Sequence, residues 1–497
     1  MPMKSAASSW RQGGGMNGEV LWTAHAAARA TGGRLSGRGD WCANGVSIDS
    51  RSLERGDLFV ALTGLNRDGH LFVSSALEAG AAACMVAAPA PDLSADAPLL
   101  DVEDTLRGLN DLAAAARARC TARRIAVTGS VGKTSTKEML RHVLGRQGKA
   151  HASAASYNNI WGVPLTLARM PEHTDYGVFE IGMNHSGEIT PLARLVRPNI
   201  AVITAVAPVH LEFFSGVGAI ADAKAEIFDG MDGAGVAVLN ADDAQFARLS
   251  AAARTCGVDV ISFGSAESAD ARVTGIAGHG AGSAVTAIIG GMAVRYTLPE
   301  PGRHWVMNSL AVLAAAQAAG ADVRRAAADL ATIPALKGRG ARHIVRSGFG
   351  DFTLIDESYN ANPASMRAAI TTLGQHMCTG TGRRLAILGD MLELGAAGPQ
   401  LHIDLADSLA EAGIERVYLA GPLMRHLWEA LPASRRGAWT PTSKDLADTL
   451  APEIVSGAIV GAGDAVMVKG SLGSRMALII QMLEQIGQGS LTQQKSG

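Results

Sequence analysis

Residues 124–135 read RIAVTGSVGKTS, and TSTKEMLRHVLG follows from Thr134 to Gly145. A short, β-branched, wholly apolar run enters a glycine-rich turn, and a helical pattern leaves it. That order predicts a buried parallel strand, a phosphate-sized loop and a helix N-terminus. The turn is Gly129-Ser130-Val131-Gly132, followed by Lys133, Thr134 and Ser135. Its backbone N–H groups, at the positive end of a helix, suit phosphate oxygens. Lys133 is positioned to reach the outer phosphates, and the Thr134 hydroxyl to ligate Mg²⁺. Only two residues separate the glycines, fewer than the four of the general nucleotide-binding pattern. The competing interpretation is a strand–helix turn that binds nothing.

Working outward, YGVFEIG (176–182) and NIAVITAV (199–206) repeat the apolar, β-branched character of a central parallel strand. GRHWVMNSLAVLAAAQAAG reads as one long helix ending at Gly320. A second series begins near residue 339: FTLID (352–356), RLAILGD (384–390), RVYLAG (416–421) and AVMVKGS (465–471), separated by helical segments. Before the first series, SIDSRSLERGDLFVAL leads into a strand, and LFVSSALEAGAAACMVA reads as helix. The expected fold class is α/β with three domains. They are a small mixed α/β N-terminal domain (20–110), a central P-loop ATPase-like parallel sheet (111–338) and a C-terminal Rossmann-like domain (339–497). Residues 1–19 form a polar extension.

Length and composition agree. A chain of 497 residues predicts roughly three domains at about 150 residues each. Hydrophobic residues at 47% and charged residues at 18% exclude wholesale disorder. With 44 basic against 46 acidic side chains there is no global field to hold a polyanion, so nucleic acid is not expected as a partner. The 58 glycines suit an enzyme built from tight turns. Five scattered cysteines without a CxxC pair read as reduced thiols. No signal-like or membrane-spanning apolar stretch is present, so a cytoplasmic monomer is expected.

Other chemistry-bearing residues cluster at strand ends. Glu180 closes an apolar run, where a carboxylate is either salt-bridged or holds Mg²⁺. His210 lies past the next strand, where open parallel sheets build sites, although a lone histidine is usually structural. Lys224 falls in a helical pattern, where a solvated lysine is the default. In the third unit, Asp356-Glu357-Ser358-Tyr359-Asn360-Ala361-Asn362-Pro363 suits either a binding loop or an acidic turn with a helix cap. GDMLELG (389–395) and Lys469-Gly470-Ser471 place polar groups at further strand ends, where they could face the nucleotide unit.

Together these motifs resemble the Mur ligase family of ATP-dependent, amide-forming enzymes of peptidoglycan synthesis. The likeness runs from about Val20 to Met482. It is carried by GSVGKT, NNIWGVPLTL (158–167), EIGMNHSGEI (180–189), APVH (207–210) and AKAEIF (223–228). IDESYNANPASM and GDMLELG match the branch that adds D-alanyl-D-alanine, and the Asp-Asn-Pro-Arg motif of the diaminopimelate-adding branch is absent. The resemblance implies that Ser50, Arg51 and Asn159 bind the UDP-linked substrate. It implies Mg²⁺, two ions in all, on Thr134, Glu180, His210 and Lys224, the lysine as a carbamate. Asn308 and Arg339 would contact the adenine side and the phosphates, with Asp356 and Asn360 in a loop closing over ATP. Trp305 stands where the family often has asparagine.

The implied reaction joins D-alanyl-D-alanine to UDP-N-acetylmuramoyl-tripeptide through an acyl phosphate, with Lys133, Lys224, Glu180, His210 and Arg339 as the catalytic set. A different Mur-type ligase, a P-loop kinase of a small acceptor and a nucleotide-driven switch remain alternatives. The third residue of the acceptor peptide, lysine or diaminopimelate, has no motif.

Overall fold

The computed structural model describes residues 19–64, 67–88, 93–208, 212–279 and 282–494. The polar extension expected over residues 1–19 lies outside them except for Glu19, and so does His210.

The first unit holds a five-stranded sheet in the order Arg34–Ser36, Leu99–Asp101, Ala83–Val86, Asp57–Val60, Gly45–Ser47, parallel except for the first strand. The stretch read as helix over 71–87 divides. Val73–Glu78 is helical, and Ala83–Val86 is a fully buried strand. Alanine and cysteine carry no helical period of their own there, and pairing on both sides decides the state. The expected boundary at 110 falls inside the helix Thr105–Arg119, which opens on an Asp104 cap and carries the chain without a break into the next unit.

The central sheet has nine strands. Ala150–Ala152, Tyr176–Glu180, Arg123–Thr128, Ile200–Ile203, Val236–Asn240 and Asp259–Gly264 form the parallel part, in that order. Ala271–His279 joins Asp259–Gly264 in parallel, and Gly282–Ile289 and Met292–Leu298 follow it as antiparallel strands; sequence reading did not anticipate these three. The three strands around the phosphate turn are fully buried through Ile125, Val127, Val178 and Val202. The long helix, Arg303–Ala318, packs on the phosphate-loop helix Lys133–Gly145, and both feed one core that includes Val306, Leu310 and Leu313.

The third unit is a six-stranded sheet in the order Ala341–Val345, Phe352–Glu357, Ala465–Lys469, Arg384–Gly389, Arg416–Ala420, Arg436–Thr440, antiparallel only at its first strand. The four expected strands are present, and both edge strands are additions. Helix Pro363–Gly374 opens on a capping box between Asn362 and Ser365, with Pro363 in its first turn.

The first two units are riveted together. Helix Thr105–Arg119 packs along helix Gly162–Ala168. Trp22 Nε1 donates to Ala168 O (2.9 Å), the Arg119 guanidinium lies 4.1 Å from the Trp22 ring centroid, and Arg169 reaches Val46 O. No helix among the described residues is long and apolar enough to cross a membrane.

Candidate active site

The phosphate turn is built by its glycines. Gly129 has φ +147°, and a Cβ there would meet Thr204 Oγ1 at 2.0 Å. Gly132 has φ +84° and lies against Asn308, whose Oδ1 would be 2.7 Å from a Cβ. Thr204 braces the turn by donating to Val131 O (2.5 Å), and the Ser130 hydroxyl exchanges hydrogen bonds with Ala207. Helix Lys133–Gly145 starts at Gly132 without a side-chain cap. Its first-turn N–H groups therefore remain available to an anion. Ser135 follows on this first turn, nearly buried.

Thr134 and Glu180 meet at the head of adjacent strand and helix. The Thr134 hydroxyl donates to Glu180 Oε2 (2.9 Å), and Asn158 Nδ2 donates to Glu180 Oε1 (2.8 Å). With the Thr134 proton given to Glu180, Ser156 is the donor in the 3.0 Å contact between the two hydroxyls. Glu180 is 2% exposed, and these donors satisfy a carboxylate that burial alone would penalise.

Three cations neighbour one another here, Lys133 close to Glu180 and Arg339, and Lys224 close to Lys133. Lys133 Nζ donates to Gly129 O (2.7 Å). Burial pulls its ammonium below the ordinary lysine value; Glu180 opposes that shift and Arg339 adds to it. Lys224 is 2% exposed, and its side chain has no hydrogen bond or ion pair among the described residues. Burial first, then the Lys133 charge, holds it well below the usual lysine range. Arg339 arrives from the linker, between Gly338 (φ +73°) and Gly340 (φ +93°), with its guanidinium 4.4 Å from the Tyr359 ring centroid. Glu226, two residues past Lys224, accepts from Gly187 N (2.6 Å) and Ile189 N (3.1 Å), tying the Lys224 helix to the loop after Glu180.

The C-terminal motifs lock one another. Lys469 Nζ donates to Glu357 Oε2 (3.0 Å) and Asn360 O (3.1 Å). Ser471 Oγ donates to Ala361 O and accepts from Leu392 N. Asp390 accepts from Met424 N (2.8 Å), with burial raising its carboxyl. The GDMLELG loop faces the central domain: a Cβ on Gly395 would lie 3.3 Å from Glu212 Cα.

The structure thus brings Gly129 to Thr134, Glu180, Lys224, Asn308 and Arg339 to one place. Other expected residues sit differently. Asp356 spends its carboxylate within the protein, accepting from Gly338 N (2.9 Å), Ser358 N (3.0 Å) and Ser358 Oγ (2.6 Å). The Asn360 side chain is exposed. Asn159 Oδ1 caps helix Gly162–Ala168 through Gly162 N (2.9 Å). Ser50 and Arg51 lie on a loop of the first unit, where Arg51 pairs with Asp49 (2.6 Å). Sequence reading missed Ser156 and Asn158. The doubled asparagine Asn158-Asn159 was the available signal.

Comparison with known proteins agrees with this arrangement. The family model for the Mur ligase middle domain matches residues 127–316, the Mur ligase glutamate ligase domain 342–472, and the Mur ligase catalytic domain 43–117. The UDP-N-acetylmuramoyl-tripeptide–D-alanyl-D-alanine ligase of Escherichia coli is 35% identical over 92% of this chain and 96% of its own. The Bacillus subtilis enzyme of the same name is 34% identical over 88% and 93%. A crystal structure of MurF from Acinetobacter baumannii superposes with a TM-score of 0.80 at 30% identity, covering 93% of this chain and 99% of that one. These matches, over all three units, show that the chain belongs to the Mur ligase family.

Proposed function

We propose that this chain is the ATP-dependent ligase that joins D-alanyl-D-alanine to the free carboxylate of UDP-N-acetylmuramoyl-tripeptide, in cytoplasmic synthesis of the peptidoglycan precursor. The observation that carries the chemistry is the buried Thr134–Glu180 pair beneath the phosphate turn, with Lys224 buried near Lys133 and its ammonium unpaired among the described residues. The substrates follow from the relatives, each of which spans nearly its whole length on this chain.

A carboxylate does not acylate an amine in water near neutral pH, because its oxygen leaves too poorly. Transfer of the γ-phosphoryl group of ATP to that carboxylate breaks the β–γ bridge and releases ADP. The resulting acyl phosphate has phosphate as its leaving group. The neutral dipeptide amine attacks it, an amide forms, and phosphate and a proton depart. The turn's N–H groups hold the phosphates, Lys133 swings from Gly129 O onto them, and Arg339 approaches from the hinge, supported by Tyr359. Asn308 lies against Gly132, on what would be the nucleotide side, and the Asp356–Asn360 loop would cover ATP from the third unit.

Hard oxygen donors at Thr134 and Glu180 fit Mg²⁺. In this reading Thr134, Glu180 and His210 would hold one ion, and Lys224, as a carbamate, would hold a second. The bound ions supply charge neutralisation at the phosphates. Carbamate formation suits Lys224 because burial, with no counter-charge among the described residues, favours the neutral amine; that amine would add to CO₂ and release a proton, leaving an anion in place of the cation. Acyl phosphates hydrolyse, so closure of the third unit at Gly338–Gly340 serves to exclude water. Ser50 and Arg51, on the unit riveted to the central domain, and Asn159, on the central domain itself, belong to the UDP-substrate side in this reading.

A phosphate-release assay tests the reading. Release should require ATP, Mg²⁺, the UDP-tripeptide and D-alanyl-D-alanine together. A rate indifferent to the dipeptide would instead mark a kinase or a nucleotide switch.

A further inference from the structure

Lys137 has no part in the chemistry above, yet it is a charged side chain with 0% exposure in the helix of the phosphate turn. Burying an ammonium group is costly, and an apolar chain of similar volume fills such a place without that cost. What the charge gains here is specific. Lys137 Nζ donates to Ser153 O (2.8 Å) and Ala155 O (3.5 Å) and pairs with Glu138 Oε1 (2.5 Å). Glu138 is held in turn by Arg141 Nε (2.8 Å).

Those carbonyls belong to the loop that leaves strand Ala150–Ala152 and carries Ser156 and Asn158. Ser156 Oγ stands 3.0 Å from Thr134 Oγ1, and Asn158 Nδ2 donates to Glu180 Oε1. Asn158 O also accepts from Gly182 N (2.8 Å), just past Glu180. The loop is therefore pinned twice, by Lys137 at its start and by the Glu180 strand at its end. Only two to four residues lie between the pins, too few for Ser156 or Asn158 to settle elsewhere while both hold.

We propose that Lys137 is a positioning residue for the Mg²⁺·nucleotide site, acting through the Ser153–Asn158 loop on the orientation of Thr134 and Glu180. The inference rests on the ligase reading for its activity assay, but not for its binding assay. Groups that orient metal ligands from behind typically change metal affinity by about 10–100-fold. Lys137→Met should therefore raise the half-saturating Mg²⁺ concentration by about tenfold or more, with the KM for UDP-tripeptide within about twofold of wild type. Excess Mg²⁺ should recover much of kcat. Lys137→Arg, which can still donate to both carbonyls, should lie close to wild type.

Calorimetric binding of Mg²⁺·ADP, with no other substrate present, should weaken in parallel. If Lys137→Met does not fold, Lys137→Gln, polar but too short to reach the loop, carries the same expectations. The proposal is overturned if Mg²⁺ half-saturation and Mg²⁺·ADP affinity stay within twofold of wild type. It is equally overturned if activity falls without relief by Mg²⁺ and with all substrates affected alike, which is the mark of a plain structural role. A wild-type chain that binds Mg²⁺·ADP but makes no amide would refute the ligase reading and leave this comparison intact.

Discussion

Replacing Gly129 by alanine puts the turn's geometry to a quantitative test. The added Cβ would lie 2.0 Å from Thr204 Oγ1 and 3.2 Å from Thr204 N, at a backbone φ of +147° that L side chains rarely adopt. Overpacking of this kind costs about 1–3 kcal/mol. A sparsely populated backbone conformation adds about 1–3 kcal/mol. Pushing Thr204 aside also loses its bond to Val131 O, worth about 1 kcal/mol. The sum is about 5 kcal/mol, and the strained turn should also misplace bound phosphate and lower turnover by about 10²-fold. Thr204→Ala alone should cost about 1–2 kcal/mol, because it removes a brace but adds no clash. The double variant removes the atom that the new Cβ strikes. Equilibrium denaturation of wild type, both single variants and the double should therefore show a coupling of about 2 kcal/mol in favour of the double. Additivity within about 0.5 kcal/mol would refute the argument that Thr204 is what forbids a side chain at Gly129.

Three further outcomes follow from the site and the hinge. Lys224→Ala should be nearly inactive and should regain activity with added short carboxylates. Wild type stripped of CO₂ should slow and recover on its return, and absence of both effects would remove the carbamate. Glu300, close to Arg342 (3.9 Å), is raised from 4.5 to about 7, chiefly by burial, with Arg342 opposing and Glu357 reinforcing. The folded state therefore binds this proton more tightly than the unfolded chain, and stability falls as pH rises from 4.5 to about 7, by about 3 kcal/mol in all. Glu300→Gln should raise the denaturation midpoint at pH 8 and leave it unchanged at pH 4.5; equal gains at both would contradict the assignment. Tyr359→Leu removes the ring under Arg339, an interaction worth about 0.5–2 kcal/mol, so turnover should fall by roughly 2–30-fold while Tyr359→Phe stays near wild type. A Phe variant as poor as the Leu variant would shift the role to the hydroxyl.

The architecture was legible where apolar runs were continuous. Arg123–Thr128, Tyr176–Glu180 and Ile200–Ile203 are buried on both faces, so their composition alone announces parallel strands. The hairpin extension from Ala271 to Leu298 and the edge strands Ala341–Val345 and Arg436–Thr440 were not, because one face or edge meets solvent and their pairing is set by distant chain. Local motifs announced Lys133, Thr134 and Glu180. What they do not encode is how a polar side chain is spent. Asp356 looks like a ligand in the sequence, yet in the fold it holds the hinge at Gly338. Lys137 looks like a solvated helix lysine, yet it is buried against a loop 16 residues away in the chain. Such uses depend on contacts between segments, which a linear pattern does not show.

The central claim is that the tripeptide carboxylate takes the γ-phosphoryl group before the amide forms. Labelling that carboxylate with ¹⁸O and running the complete reaction tests it most directly. Phosphoryl transfer followed by attack of the dipeptide amine predicts one ¹⁸O in each phosphate released and one remaining in the amide carbonyl. Unlabelled phosphate, released while the carboxylate keeps both labelled oxygens, would contradict the account.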